Sequence, residues 1–279
     1  MKKILFVGFA TLDFIKGKRS LGGAAGIMSY NATYFSVNPY LLTVLSKDHF
    51  GKFYTEELVK AGVNLKYCNF DSPSIPTCII DDVHGNGSER IWRDNNSLPF
   101  FDKLSYDKIP INQFDSIFLC NALPTVALRI AAGCKSRKII YIPGPQTVIK
   151  PNYIKKAILS KTNIIIGNGE EAHFILRSRP FASGVKMMVI TKGEKGGDIY
   201  FKNGKKINFD APSIKKAVDT TGAGDNFSLG FSLALLKNKS VYLAIEFGKK
   251  LAKLTLSQKG GILTDKNAII QIDAKSGRN

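Results

Sequence analysis

Short apolar runs rich in Ile, Val and Phe recur along this chain with amphipathic stretches between them, and that alternation narrows the fold more than any other feature. Runs of this kind are buried on both faces, as in parallel strands joined by crossover helices. The strand candidates are Ile4 to Gly8, Tyr40 to Leu45, Ser116 to Cys120, Lys138 to Ile142, Asn163 to Ile166 and Met187 to Thr191. No internal repeat, low-complexity tract or Pro/Ser-rich linker interrupts them, so an α/β architecture in one domain over residues 1–279 is expected.

Two regions depart from the alternation. Residues 75–93 read as a β-hairpin, Thr77 to Asp81 and Ser88 to Trp92, turning at Gly85-Asn86-Gly87. The short polar link from Asp13 to Gly22 can add one strand beside it, and a hairpin set apart from the main sheet is suited to covering a site. Nearer the C-terminus, Ile199 to Phe201 and Lys206 to Phe209 flank Asn203-Gly204, which predicts an antiparallel edge to the sheet.

Composition then excludes several classes. With 44% hydrophobic and 22% charged residues the chain can bury a core, so wholesale disorder is excluded. No apolar stretch approaches the roughly 20 residues of a spanning helix, so no membrane role is expected. Cys68, Cys78, Cys120 and Cys134 show no CxxC spacing and only three histidines accompany them, which argues against zinc and for reduced thiols in a cytoplasmic protein. The net charge of +18 allows a nucleic-acid partner. The lysines are scattered in pairs such as Lys155-Lys156 and Lys215-Lys216, without interleaved aromatics, so a solvated surface is favoured and no nucleic acid is expected.

The densest chemical signal is Asp219-Thr220-Thr221-Gly222-Ala223-Gly224-Asp225, followed by the apolar helix candidate Ser228 to Leu236. Small residues before a helix let backbone N–H groups converge on an anion at its positive end. A carboxylate beside a phosphate held in such a nest is electrostatically costly unless it handles a proton, which gives Asp225 the character of a general base. The bland alternative is a tight helix entry with Asp225 as a cap. No Lys-Ser/Thr follows the glycines as a P-loop needs, and the glycine spacing is not that of a dinucleotide fold.

This segment resembles the C-terminal signature of the ribokinase-like, or PfkB-type, carbohydrate kinases, and other motifs follow in the family's order. Gly8 to Asp13, Gly22-Gly23, Asp48-His49-Phe50-Gly51, Gly62-Val63-Asn64, Pro76-Thr77, Arg90, Asn168-Gly169-Glu170-Glu171 and Thr191-Lys192-Gly193 all fit. The resemblance implies a three-layer α/β/α domain with a mostly parallel central sheet and a small, shortened β lid made of the 75–93 hairpin and the 13–22 link. It implies transfer of the γ-phosphate of ATP, with Mg2+, to a hydroxymethyl group of a small sugar or polyol. A nucleoside kinase of the same family is the alternative within this class, and a basic nucleic-acid-binding protein on a kinase-like scaffold is the alternative outside it.

By the same resemblance Asp225 is the base, and Gly222, Ala223 and Gly224 form an anion hole worth on the order of ~3 kcal/mol per donor. Asn168, Thr191, Gly193 and Thr221 bind ATP, and Glu171 holds Mg2+ through water. Asp13, Gly22 and Gly23 bind the acceptor. Helix capping by Asn168 and turn formation by Asp13 or Gly22-Gly23 are the bland readings of the same residues.

Three departures from the family pattern bear on the acceptor. Ile27 stands where the family usually carries a sugar-binding Asn. The 13–22 link is short, which speaks against a dimer built on paired lid strands and leaves monomer and homodimer open. Tyr141-Ile142-Pro143-Gly144-Pro145 lacks an acidic residue. Asn121, or Arg93 with Asp94, Asn95 and Asn96, can replace the missing contacts, while Trp92 is expected to pack the lid.

Overall fold

The computed structural model describes residues 1–82, 88–93, 97–136, 138–145 and 154–277. The strands are β1 (Lys2–Gly8), β2 (Thr11–Ile15), β3 (Lys18–Gly22), β4 (Val37–Leu42), β5 (Val44–Ser46), β6 (Asn69–Ser72), β7 (Thr77–Asp82), β8 (Ser88–Arg93), β9 (Ser116–Cys120), β10 (Ile139–Ile142), β11 (Thr162–Asn168), β12 (Met187–Thr191), β13 (Gly197–Phe201) and β14 (Lys206–Phe209). The α-helices are α1 (Ala24–Ala32), α2 (His49–Ala61), α3 (Leu98–Phe101), α4 (Pro124–Gly133), α5 (Lys156–Leu159), α6 (Ala172–Arg177), α7 (Ala223–Leu236), α8 (Val241–Leu256) and α9 (Lys266–Gly277).

Eight strands form the central sheet in the order β14-β13-β12-β11-β10-β9-β1-β4. The pairings from β4 through to β12 are parallel, and β13 and β14 add the antiparallel edge that Asn203-Gly204 predicts. Alternation along β1 divides its side chains between two cores. Ile4 and Phe6 join Met28 of α1, Phe231 of α7 and Leu251 of α8 on one face. Leu5 and Val7 join Val126 of α4, Ile158 of α5 and Ile175 of α6 on the other. The result is the three-layer α/β/α arrangement expected from runs apolar on both faces.

Two strand expectations shift. The run Tyr40 to Leu45 is split: β4 starts earlier, at Val37, and β5 leaves the central sheet to pair with β6. Pro39 is tolerated inside β4 because β4 is the sheet's edge strand. The 13–22 link supplies two strands rather than one, because the chain reverses at Lys16 (φ 49°) and Gly17 (φ 75°), the pair of positive φ values of a two-residue hairpin turn. With β7 and β8 they form a second sheet in the order β3-β2-β7-β8. The Gly85-Asn86-Gly87 turn lies outside the described residues.

All four cysteines are free thiols. No helix among the described residues is long and apolar enough to cross a membrane.

Candidate active site

The central sheet changes direction at β1: β4 lies on one side and β9 on the other, and chain segments leaving the carboxyl ends of the strands part there to open a crevice. A cavity of about 250 Å³ occupies it. Asn121 enters after β9, Pro145 after β10, Asn168 and Glu171 at the end of β11, and Thr191 at the end of β12. Asp13, Cys78, Ile80 and Trp92 face it from the second sheet, and Thr221, Gly222, Gly224 and Asp225 from the entry to α7.

The α7 entry is held in shape by Asp219. Its Oδ1 accepts from the Thr221 amide at 2.9 Å and its Oδ2 from the Gly260 amide at 2.8 Å, so one carboxylate ties the loop to the turn after α8. Gly222 caps α7 at φ 77°, and a Cβ there would fall 2.5 Å from Gly261 Cα. The Ala223 amide is turned back onto the Thr220 carbonyl at 3.2 Å, and Ala223 does not line the cavity. Of the expected three-residue anion hole, Gly222 and Gly224 are therefore the members on the cavity wall. Asp225 lies in the first turn of the 14-residue helix.

Behind this entry lies a buried amide cluster that the sequence reading missed. Asn31 donates to Asn226 Oδ1 at 2.7 Å and to the Gly261 carbonyl at 2.9 Å, and its Oδ1 accepts from the Leu263 amide at 3.0 Å. Asn226 donates to Thr255 Oγ1 and to the Gly261 carbonyl, each at 2.8 Å. No single motif could have signalled it, because Asn31 and Asn226 are 195 residues apart.

Asn168 and Glu171 cap each other: the Glu171 amide donates to Asn168 Oδ1 at 2.9 Å and the Asn168 amide to Glu171 Oε2 at 3.3 Å. Glu171 is more than a cap, since it is 4% exposed and lines the cavity. Burial pushes its carboxyl up to about 7; the charges of Asp225 and Glu170 push the same way, against the hydrogen bond from the Asn168 amide. Thr191 donates to the Gly167 carbonyl at 3.3 Å, and Gly193, two residues on, opens a short 3-10 turn and is not among the residues lining the cavity.

On the wall formed by the second sheet, Asp13 is buried and accepts from Thr11 Oγ1 at 2.9 Å. Gly22 lies behind it: a Cβ there would fall 2.0 Å from Asp13 Oδ1, so the glycine makes room for the carboxylate while Gly23 reaches the wall. Asn121 adopts φ 49°, and its buried Oδ1 has no hydrogen-bond partner among the described residues; the same holds for Thr221 Oγ1. A Cβ on Gly144 would come within 2.5 Å of that Asn121 oxygen. Leu123, not Asn121, occupies the cap position of α4. Ile27 is buried with Cδ1 3.5 Å from the position of a Gly222 Cβ, so it packs against the entry to α7 as well as lining the cavity.

Arg93 does not join the cavity wall: it follows Trp92 on β8, and alternation turns it to the opposite face, where it is exposed. Trp92 is itself 53% exposed and does not pack the sheet as expected. Asp94, Asn95 and Asn96 lie outside the described residues.

A family model described as pfkB family carbohydrate kinase matches residues 13–268. A nucleoside kinase of Methanocaldococcus jannaschii is 24% identical over 93% of this chain and 92% of its own length. A ribokinase of Haemophilus influenzae is 23% identical over 86% and 82% respectively. The crystal structure of the M. jannaschii nucleoside kinase superposes with a TM-score of 0.82 at 21% identity, covering 99% of both chains.

Proposed function

The chain belongs to the PfkB family of carbohydrate kinases, and on that premise we propose that it transfers the γ-phosphoryl group of ATP to a hydroxymethyl group of a small sugar, polyol or nucleoside, with Asp225 as the general base. One observation carries the reading: Asp225 and the Gly222–Gly224 helix entry share a single cavity with Asp13 and Asn121. A carboxylate, an anion nest and hydroxyl-binding groups are what such a transfer needs on facing walls.

The acceptor hydroxyl gives its proton to the Asp225 carboxylate as its oxygen attacks the γ-phosphorus and ADP leaves. Asp13 accepts hydrogen bonds from other acceptor hydroxyls beside Gly23, and Asn121 offers a carbonyl oxygen that has no partner among the described residues. Amides of Gly222 and Gly224 at the positive end of α7 face the charge on the transferred group. Asn168, Thr191 and Thr221 line the cavity along the path of the ATP phosphates, and Gly193 borders that path outside the cavity wall. The reading takes residues 1–279 as one domain and the small sheet as its lid.

Mg2+ fits this donor set. No three His, Cys, Asp or Glu side chains cluster among the described residues, and Mg2+ is commonly held by one or two carboxylates, waters and substrate phosphates. Glu171, with Asn168, would hold it through water, where a cation also relieves the mutual repulsion of Glu171 and Asp225. When bound, it supplies charge neutralisation at the phosphates.

The test is a screen of sugars, polyols and nucleosides with ATP and Mg2+, read as acceptor-dependent ADP release. Release that no acceptor stimulates contradicts the reading.

A further inference from the structure

The second sheet carries a row of directly paired residues. Ser20 on β3 pairs with Asp13 on β2, Asp13 with Cys78 on β7, and Cys78 with Trp92 on β8. Paired residues on neighbouring strands share a face, and Asp13, Cys78 and Trp92 all line the cavity. Two strand spacings separate the first from the last, so Asp13 and Trp92 stand roughly 10 Å apart along one wall.

The outer two of the three cavity-lining residues in that row, Asp13 and Trp92, differ in chemistry. Asp13 is a carboxylate 4% exposed, suited to accepting hydrogen bonds from a pair of hydroxyls. Trp92 is the sole tryptophan of the chain, and 53% of it is exposed. Between and beside them the wall is apolar: Cys78 and Ile80 on β7, with Ile27 on α1. A monosaccharide held at Asp13 would end near Cys78 and leave the indole uncovered. A ribose bearing a flat heterocyclic base spans the row, its hydroxyls at Asp13 and its base against the indole.

We propose that the acceptor is a nucleoside whose base stacks on Trp92 while its ribose hydroxyls bond to Asp13. The inference rests on the phosphotransfer reading above and names the substrate class of that same site. Stacking tolerates any base, because each has a π-face, so Trp92 selects nucleosides from sugars rather than one base from another.

Because Trp92 is the only tryptophan, its emission reports on the site directly. Titration of the whole protein with inosine or cytidine is expected to quench that emission, and ribose at the same concentrations to leave it unchanged. In steady-state phosphotransfer, Trp92→Ala should raise the KM for both nucleosides at least ~10-fold, far more than it lowers kcat, and Trp92→Phe should recover most of the loss. The proposal is overturned if neither nucleoside quenches the emission, or if Trp92→Ala leaves both KM values unchanged. The two readings fail separately. Quenching by nucleosides without phosphoryl transfer to any acceptor keeps the stacking site and removes the kinase reaction. Transfer to ribose without quenching by either nucleoside keeps the reaction and removes the nucleoside.

Discussion

The side-chain amide of Asn31 donates to the side-chain oxygen of Asn226 across 2.7 Å, joining α1 to the residue next to Asp225. Both asparagines are fully buried, and the Gly261 carbonyl accepts from both. A satisfied buried network fixes one arrangement of the elements it joins. Here it sets the first turn of α7 against α1, which begins just after Gly22-Gly23, so Asp225 and that di-glycine hold one relative position.

Asn31→Ala would leave the Asn226 oxygen and the Leu263 amide without this partner. We expect a loss of about 3 kcal/mol in urea unfolding and a fall in kcat larger than the rise in ATP KM. Unchanged stability would mean that the network contributes little.

Much of this arrangement was legible in the chain before its structure. The apolar runs identified the central sheet because burial on both faces leaves a continuous signal, and the small residues before Asp225 identified a helix entry. Pairing was not legible. Alternation along Ile91, Trp92 and Arg93 says that neighbours face opposite ways, but only the register Cys78 to Trp92 says which one meets the cavity. The Lys16-Gly17 turn was missed because Lys-Gly is a weak hairpin dipeptide, and the bonds of Asp219 because Gly260 lies 41 residues on.

Asn121 holds a strained conformation at the cavity, and its oxygen has no partner among the described residues, a combination that favours binding over stability. Asn121→Gly should be neutral to stabilising, by about 1 kcal/mol at most, since glycine adopts φ 49° freely. The same variant should raise the acceptor KM about tenfold, the worth of one hydrogen bond. A destabilised variant with normal KM would make Asn121 a structural residue.

Asp198 gives the fold a pH signature. Burial pushes its carboxyl up, but hydrogen bonds from Lys192, Tyr200, Lys206 and Asn208 outweigh that and hold it at about 2, below its ordinary 3.8. A depressed carboxyl stabilises the fold above its unfolded value and loses that contribution as pH falls through its folded value. Wild-type stability should therefore drop between about pH 4 and pH 2 in urea titrations. Asp198→Asn should flatten that slope and cost about 2 kcal/mol at neutral pH. Equal slopes in the two proteins would contradict this.

The role of Asp225 is tested most directly by Asp225→Asn, which keeps the shape of the side chain and removes its basicity. With whichever acceptor the wild-type protein phosphorylates, kcat should fall by about 10³-fold or more while the dissociation constant of ATP, measured by calorimetry, changes less than about threefold. A variant that retains kcat within about tenfold of the wild type would contradict the assignment of Asp225 as the base.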